Sequence, residues 1–193
     1  MSTAMMGKAT ILLLAASLFE TAYPALAGDV AEPANYRMEE YRAPVPDTLL
    51  GARVVTTAEA ETLWRDKTAV FFDVMPKTPK PANLPAGTIW RDAVRTDIAG
   101  SVWLPNVGYG AITEETADYF RSGLAAHAPA KTDPILFYCM TDCWMSWNAA
   151  KRALEWGYTS VIWYPGGGDG WEKAGLPVAE TKPYDEAAQK LLQ

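Results

Sequence analysis

The chain has 193 residues, of which 49% are hydrophobic, which is enough for one well-buried core and too few for two. Its formal net charge of -6 argues against a nucleic-acid-binding protein, because such proteins need clustered lysine and arginine side chains. With one histidine and two cysteines, the sequence also disfavours a histidine-bearing metal site and a cysteine–histidine catalytic dyad.

Residues 1–27 have the order of features found in a secretory signal peptide. Lys8 precedes an apolar run over residues 9–19, and small residues follow at 25–27. The run is too short to cross a bilayer, which takes roughly 18 apolar residues. We therefore expect cleavage after residue 27, export to the periplasm and no membrane association of the mature protein.

Residues 28–50 are rich in alanine, proline and glutamate, and they predict an extended arm on the surface of the protein. A single domain is predicted over residues 51–178. It starts with a helix that Thr57 caps and that runs to about Arg65. A short apolar run over residues 69–74 then predicts a buried strand.

The middle of the domain begins with a stiff loop, because four prolines lie within residues 76–87 and exclude a helix or a central strand. Residues 101–104 predict a strand. Thr113 is predicted to cap a helix that ends near His127. At that end the helix carbonyl groups stabilise a cation, so a structural role for this histidine is favoured over a catalytic one.

The second half of the domain continues the alternation of strands and helices. We predict a strand over residues 134–138, a helix to about Trp156, a strand over 159–164, a loop over 165–170 and a helical turn over 171–175. Residues 179–193 are expected to form a tail or a short helix. This order predicts an α/β fold with a mainly parallel central sheet, helices on both faces and a working site at the carboxyl ends of the strands.

The two cysteines lie where the strongest predicted strand turns into a helix. Cys139 follows the strand directly, and the backbone N–H groups of residues 140–144 together with the helix dipole are expected to stabilise its thiolate. The carboxylate of Asp142 opposes this unless it points outward as the helix N-cap, which we favour. Cys143 is four residues away, a spacing of roughly 6 Å that a disulfide accepts. So small a ring favours a reducible, working disulfide, with a purely structural bridge as the alternative.

Short motifs between residues 51 and 178 follow an order that a known family shares. Its carboxyl-terminal half comprises Tyr138-Cys139, Ala149-Ala150, Leu154, Gly157-Tyr158, Val161, Gly166-Gly167, Trp171 and Gly175-Leu-Pro-Val178. Its amino-terminal half comprises Val54-Val55, Glu59, Leu63, Phe72-Asp73-Val74 and Gly100-Ser101. In this combined order the sequence resembles rhodanese-like domains. The Cys139…Cys143-Trp144 signature and residues 103–108 resemble an exported branch of that family, associated with pyrroloquinoline-quinone-dependent alcohol catabolism and named for its Cys…Cys-Trp motif.

The resemblance implies that Cys139 is the persulfide-forming cysteine, which takes sulfane sulfur from a donor and passes it to a nucleophile. We assign the active-site loop to Met140, Thr141, Asp142, Trp144 and Met145, and supporting positions to Asp73 and Trp171. Met75 stands where the family usually has an arginine, and no lysine or arginine falls between Cys139 and Trp147. An anionic donor such as thiosulfate would therefore meet a carboxylate rather than a cation.

Two functions stay open on these grounds. In the first, Cys139 attacks a sulfane or disulfide sulfur and Cys143 resolves the adduct, either as a sulfurtransferase or in thiol–disulfide exchange with a protein partner, without a cofactor or metal. The second is a non-catalytic binding or maturation module for a quinoprotein dehydrogenase or a cytochrome. There, Trp144 and Trp171 are expected to line an aromatic cleft, whereas Trp147 and Trp163 are expected to face the core.

Overall fold

The computed structural model describes Met1 and residues 30–78, 81, 83–85, 87–89 and 94–185. The predicted signal peptide, apart from its first residue, and residues 186–193 of the predicted tail lie outside the described residues. In the described part of the chain, no helix has both the length and the apolar character needed to cross a membrane.

Seven strands and four helices make up the described domain, and strands and helices largely alternate along the chain. The strands are β1 (Arg53–Val54), β2 (Val70–Asp73), β3 (Arg95–Ile98), β4 (Val102–Trp103), β5 (Ile135–Tyr138), β6 (Val161–Trp163) and β7 (Val178–Thr181). The helices are α1 (Thr57–Asp66), α2 (Glu114–His127), α3 (Trp144–Glu155) and α4 (Gly167–Lys173).

Five of the strands form a parallel central sheet in the order β1-β6-β5-β2-β4. Its central strands are apolar except for Asp73 at the end of β2, as expected for a sheet that is covered on both faces. The predicted α/β fold with a mainly parallel sheet and helices on both faces is therefore confirmed.

Alternation along the strands divides the core into two clusters. Phe72, Phe137 and Cys139 point to the side covered by α2 and α3, which we call the Cys139 face. Phe71 and Tyr138 point to the side covered by α1 and α4, which we call the Asp73 face. Residues next to each other in β2 or β5 thus lie in different environments.

Helix starts follow the predictions with two corrections. Thr113 caps α2 as expected, but α1 is capped by Thr56 rather than Thr57, because the Thr56 side chain accepts from the Glu59 backbone N–H and the Glu59 carboxylate bonds back. For α3, the N-cap is Cys143, and no side chain caps the helix. The prediction that Asp142 is the N-cap is therefore wrong.

Two further elements differ from the sequence predictions. β3 and β7 pair antiparallel as a separate two-stranded sheet, so residues 178–181 form a strand instead of the start of a tail or a short helix. Each of these two strands satisfies backbone N–H and C=O groups of the other, which neither strand can do alone. In addition, α4 begins at Gly167, within the stretch predicted to be a loop over residues 165–170.

Residues 30–50 of the arm contain no helix or strand, and they pack against α3. The side-chain amide of Asn148 accepts from the Arg37 backbone N–H and donates to the Arg37 carbonyl, both at 2.9 Å. The Trp147 indole donates to the Thr48 carbonyl at 3.2 Å, and Leu49 is buried in the core of the Cys139 face. Residues 30–50 therefore form part of the packed domain.

Candidate functional site

The two cysteines meet at the carboxyl end of β5, where the chain turns into α3. Cys139 and Cys143 are joined by a disulfide, with their Cα atoms 6.2 Å apart, in agreement with the predicted spacing. Both are buried: Cys139 is 0% exposed and Cys143 3% exposed. The pair thus lies inside the Cys139 face, beneath the surface.

Hydrogen bonds to α4 and to the arm hold the backbone of the cysteine loop, residues 139–145, in place. The Cys139 carbonyl accepts from the Gly168 N–H at 2.9 Å, and the Thr141 N–H donates to Asp169 Oδ1 at 2.7 Å. The Trp144 N–H donates to the Tyr41 carbonyl at 2.9 Å. Two of the amides expected to surround the Cys139 sulfur are therefore directed to partners on α4 and the arm. The predicted ring of inward-pointing N–H groups over residues 140–144 is wrong in this respect.

Two glycines allow close contacts around the loop. Gly167 has a φ of 62°, and a Cβ at this position would lie 2.4 Å from the Met140 Cα, where the two residues form an antiparallel bridge. A Cβ on Gly108 would lie 2.4 Å from the Met145 carbonyl oxygen. Backbone therefore packs directly on both ends of the cysteine loop, where a side chain would not fit.

The remaining loop side chains point in different directions. Asp142 is exposed and adopts a φ of 53°, a left-handed conformation that aspartate tolerates better than most residues. Thr141 is also exposed, and its hydroxyl donates to the Gly166 carbonyl at 2.9 Å. Met140 is half-buried and Met145 buried. The carboxylate is thus directed to solvent, as expected, although not as a cap.

Met75 contacts the cysteine pair directly. Its thioether sulfur lies 3.5 Å from the Cys139 sulfur. Its backbone is held at both ends, because the Met75 N–H donates to Asp73 Oδ1 at 2.8 Å and the Trp103 indole donates to the Met75 carbonyl at 2.7 Å. The position where an arginine was expected thus carries a fixed, uncharged sulfur.

The arm contacts the site at Arg42, an exposed residue, and the sequence did not predict this contact. Arg42 forms an antiparallel backbone bridge with Cys143. No sequence motif signals this contact, because about 100 residues separate the two positions. The arm therefore crosses directly over the start of α3.

The predicted aromatic cleft does not form. Trp144 is 2% exposed and Trp171 is fully buried, and their indoles donate to the carbonyls of Pro44 and Pro177. Trp147 and Trp163 are buried in the core, as expected. The indole rings are thus used for packing and for anchoring backbone, which leaves no flat-sided aromatic surface at the loop among the described residues.

Both supporting residues lie in the core of the Asp73 face, across the sheet from the sulfurs. Asp73 forms an ion pair with Arg95, whose Nε lies 2.6 Å from Oδ2. Trp171 packs against Phe71 on the same face. Asp73 reaches the cysteines only through its hydrogen bond to the Met75 backbone, so it positions the thioether and does not contact a sulfur.

A second carboxylate, Asp97, lies beside Asp73 and was not predicted. Burial, followed by the negative charge of Asp73, raises the pKa of Asp97 to about 8. Burial also raises the pKa of Asp73, against the opposing effect of Arg95. The hydroxyl of Tyr138 completes the cluster, donating to the Ser101 hydroxyl at 2.9 Å and accepting from the Ile98 N–H at 3.2 Å.

His127 lies at the end of α2, away from the cysteine pair, with its ring edge-on to Phe72 and Tyr184. Burial lowers the pKa of its imidazole. A neutral, packed ring is consistent with the predicted structural role, although not with a cation at the helix end.

Comparison with known proteins identifies the fold. Residues 56–174 match the family model described as the rhodanese-like domain. A human single-domain sulfurtransferase is 23% identical, with 63% of this chain and 96% of that one covered and a TM-score of 0.39. The polysulfide-sulfur transferase homodimer of Wolinella succinogenes is 17% identical, with coverages of 67% and 79% and a TM-score of 0.43. A rhodanese-like domain from an Anabaena species is 16% identical, with coverages of 68% and 88% and a TM-score of 0.43. Among curated protein sequences, none matches.

Proposed function

The chain belongs to the rhodanese-like domain family, and we propose that it is a thiol enzyme that works by reversible oxidation of the Cys139–Cys143 pair. The observation that supports this most directly is the disulfide between the two cysteines in the loop after β5. In the family resemblance, Cys139 takes the position of the sulfur-carrying cysteine. A second cysteine at bonding distance provides a resolving thiol, as required for thiol–disulfide exchange or for release of transferred sulfur.

The reaction starts from the reduced pair. The Cys139 thiolate attacks a disulfide or sulfane sulfur of the donor, the donor's S–S bond breaks, and a thiolate leaves. The product is a mixed disulfide or a persulfide on Cys139. The Cys143 thiolate then attacks the Cys139 sulfur, closes the intramolecular disulfide and releases the second thiol, or sulfide in the case of a persulfide. Two electrons pass from the pair to the donor, and a dithiol reductant restores the starting state.

The surroundings of each sulfur support different roles. Cys143 is the N-cap of α3, where the positive end of the helix dipole stabilises a thiolate and so favours this residue as the resolving nucleophile. Cys139 contacts the uncharged Met75. We therefore propose that the donor is a protein disulfide or another donor without a strong negative charge, in preference to thiosulfate.

Access to the pair points to a protein partner. Both sulfurs are buried, and the arm crosses the loop through the Trp144–Tyr41 backbone bond and the bond from the Trp144 indole to the Pro44 carbonyl at 3.1 Å. A donor reaches the sulfurs only when this part of the arm moves. A protein partner can bind the arm and displace it, whereas a small ion has few contacts with which to do so.

We further propose that the protein works in the periplasm, as an accessory to pyrroloquinoline-quinone-dependent alcohol oxidation, with a quinoprotein dehydrogenase or a cytochrome as partner. The support is the signal-like sequence of residues 1–27 and the resemblance of the Cys…Cys-Trp signature to the exported branch. The alternative of a non-catalytic module that binds a flat cofactor has weaker support, because Trp144 and Trp171 are buried.

Trapping experiments test this proposal. Reduced Cys143→Ser, incubated with a protein disulfide or with polysulfide, should accumulate a mixed disulfide or a persulfide on Cys139 that intact-mass spectrometry detects. The Cys139→Ser protein is the matched control and should accumulate none. If neither variant forms an adduct and both only lose stability in urea, the disulfide is a structural bridge and the binding module is the better explanation.

A further inference from the structure

Three sulfur atoms meet at the carboxyl ends of two neighbouring strands. Cys139 and Cys143 belong to the loop after β5, and Met75 follows β2, which pairs with β5 in the sheet. The Met75 sulfur is 3.5 Å from the Cys139 sulfur. Because the disulfide joins the two cysteines, all three sulfurs form one contiguous group inside the Cys139 face.

The chemistry of this group is that of soft donors. Thiolate and thioether sulfur favour Cu(I), whereas Mg²⁺ and Ca²⁺ require oxygen ligands. The described part of the chain contains no cluster of three or more histidine, cysteine, aspartate or glutamate side chains that suits a metal. The buried carboxylate of Asp73 points to the opposite face and is paired with Arg95. The donor atoms that the structure brings together at this position are thus the three sulfurs.

The thioether is already fixed in place. The two backbone bonds of Met75, to Asp73 and from the Trp103 indole, hold the residue at both its N–H and its carbonyl. A ligand whose main chain is positioned in advance loses less conformational freedom when a metal binds. A methionine that only fills an apolar gap does not need a backbone held in this way, because its flexible side chain adapts to the space.

We propose that the reduced Cys139–Cys143 pair and Met75 form a three-sulfur binding site for Cu(I). A dithiol reductant first supplies two electrons and two protons to open the disulfide. Cu(I) then displaces the two thiol protons and binds two thiolates and one thioether, with no change in the oxidation state of the metal. The Cα separation of 6.2 Å allows the cysteine sulfurs to move apart to about 4 Å, the spacing of two sulfurs that each lie roughly 2.3 Å from one metal ion.

The charge balance fits a buried site. One Cu(I) and two thiolates carry a single net negative charge, which the N-terminal end of α3 stabilises at its Cys143 cap. Binding is also linked to the redox state, because the disulfide has no thiolate to offer. The site shares with the proposed function the need for a reducible pair, but it does not depend on any transfer of sulfur.

A competition titration tests the site. The chemically reduced protein, desalted without oxygen, is titrated with Cu(I) against the coloured chelator bicinchoninate. The intact protein should take up one Cu(I) per chain, and Met75→Leu should weaken the affinity by about tenfold or more. Cys139→Ser should weaken it further. Met38→Leu, which replaces an exposed methionine of the arm, should leave the affinity unchanged.

Two outcomes would overturn the proposal. One is the absence of Cu(I) uptake by the reduced protein. The other is an affinity that is the same in Met75→Leu and in the intact protein, which would mean a simple dithiol chelate. Circular dichroism of each variant separates loss of a ligand from loss of folding, and X-ray absorption should show sulfur as the only atom type bound to the copper. Because the titration measures binding and not turnover, its result is independent of the adduct-trapping experiment.

Discussion

At the carboxyl end of the sheet, the Cys139 face and the Asp73 face carry opposite chemistry. One holds three sulfur atoms among apolar side chains, and the other holds two carboxylates, a guanidinium group and a phenol. Asp73 and Met75, and likewise Tyr138 and Cys139, are close in sequence but belong to different faces. Alternation at the end of β5 thus separates Tyr138 from Cys139, whereas Met75 lies beyond the end of β2 and packs on the face opposite Asp73.

The two faces are nevertheless connected at one point. The Asp73 carboxylate accepts from the Met75 backbone N–H and so helps to place the thioether against Cys139. The carboxylate of one face is therefore linked to the sulfur site of the other through a backbone hydrogen bond. Four predictions test how far this separation holds.

The largest effect is expected from Asp73→Ala. The substitution leaves Arg95 without its partner and the Met75 N–H without its acceptor, so the free energy of unfolding should fall by about 3 to 5 kcal/mol. Urea denaturation followed by tryptophan fluorescence measures this. Asp142→Asn, which removes an exposed carboxylate of the cysteine loop and keeps a side chain that tolerates the left-handed backbone at this position, should change stability by less than about 0.5 kcal/mol. Equal losses in the two variants would contradict the assignment of buried charge to the Asp73 face.

A pH-dependent loss of stability should arise from the carboxylate pair. An aspartate titrates near pH 4 in the unfolded chain, whereas Asp97 in the folded protein has a pKa raised to about 8, so the folded state binds the extra proton between these values. The free energy of unfolding should therefore fall as pH rises from about 4 to about 8. Tyr138 stays neutral over this range, because burial raises the pKa of its hydroxyl well above the ordinary value.

Asp97→Asn provides the control for this pH dependence. An amide has no proton to lose, so the slope between pH 4 and pH 8 should flatten, and the variant should be the more stable of the two proteins at pH 8. Urea midpoints measured at unit pH intervals show both effects. A slope that persists in Asp97→Asn would locate the titration elsewhere.

On the Cys139 face, substitution of Asn148 removes side-chain hydrogen bonds that hold the arm against α3. Its amide makes two bonds to the Arg37 backbone and one to the Gly108 carbonyl, so Asn148→Ala should cost about 2 kcal/mol. Because the arm covers the cysteine loop, a dithiol should also reduce the disulfide faster in this variant, as followed by thiol labelling and mass. The exposed Asn35 offers a matched control in Asn35→Ala, with an unchanged rate. Equal rates in the two variants would mean that the arm does not limit access.

The smallest effect is expected from Tyr138→Phe. The hydroxyl bonds Ser101 and the Ile98 N–H, so its loss should cost about 1 kcal/mol. The rate of disulfide reduction should nevertheless stay the same, although Tyr138 is adjacent to Cys139 in sequence, because its ring lies on the other face. A changed rate, measured by the same labelling assay, would show that the two faces are more strongly coupled than their packing indicates.

Much of the fold could be predicted from the sequence because short stretches of consecutive residues determine the elements concerned. The apolar runs before Asp73 and Cys139 identified the two central strands, Thr113 identified a helix start, and the spacing of the cysteines gave a Cα distance close to the one observed. Each of these depends on a few consecutive residues and on the geometry of one element.

The features that were missed depend on partners far away in the sequence. β3 and β7 are mostly polar, and about 80 residues separate them, so neither carries a strand signal by itself. The sequence of the loop alone predicts that its amides face the sulfur, whereas in the structure the N–H groups of Trp144 and Thr141 donate to Tyr41 and Asp169. The burial of Trp144 likewise results from the arm.

The contact at Gly108 determines how the cysteine loop can respond to opening of its ring. The backbone of this residue sits directly against the Met145 carbonyl in the first turn of α3, without room for even one additional carbon atom. The same turn is also bonded to the arm, through the Trp144 N–H to the Tyr41 carbonyl and the Trp144 indole to the Pro44 carbonyl. When reduction opens the disulfide, the loop can therefore expand toward the arm but not toward the Gly108 segment. The arm is displaced, and the Gly108 segment stays in place.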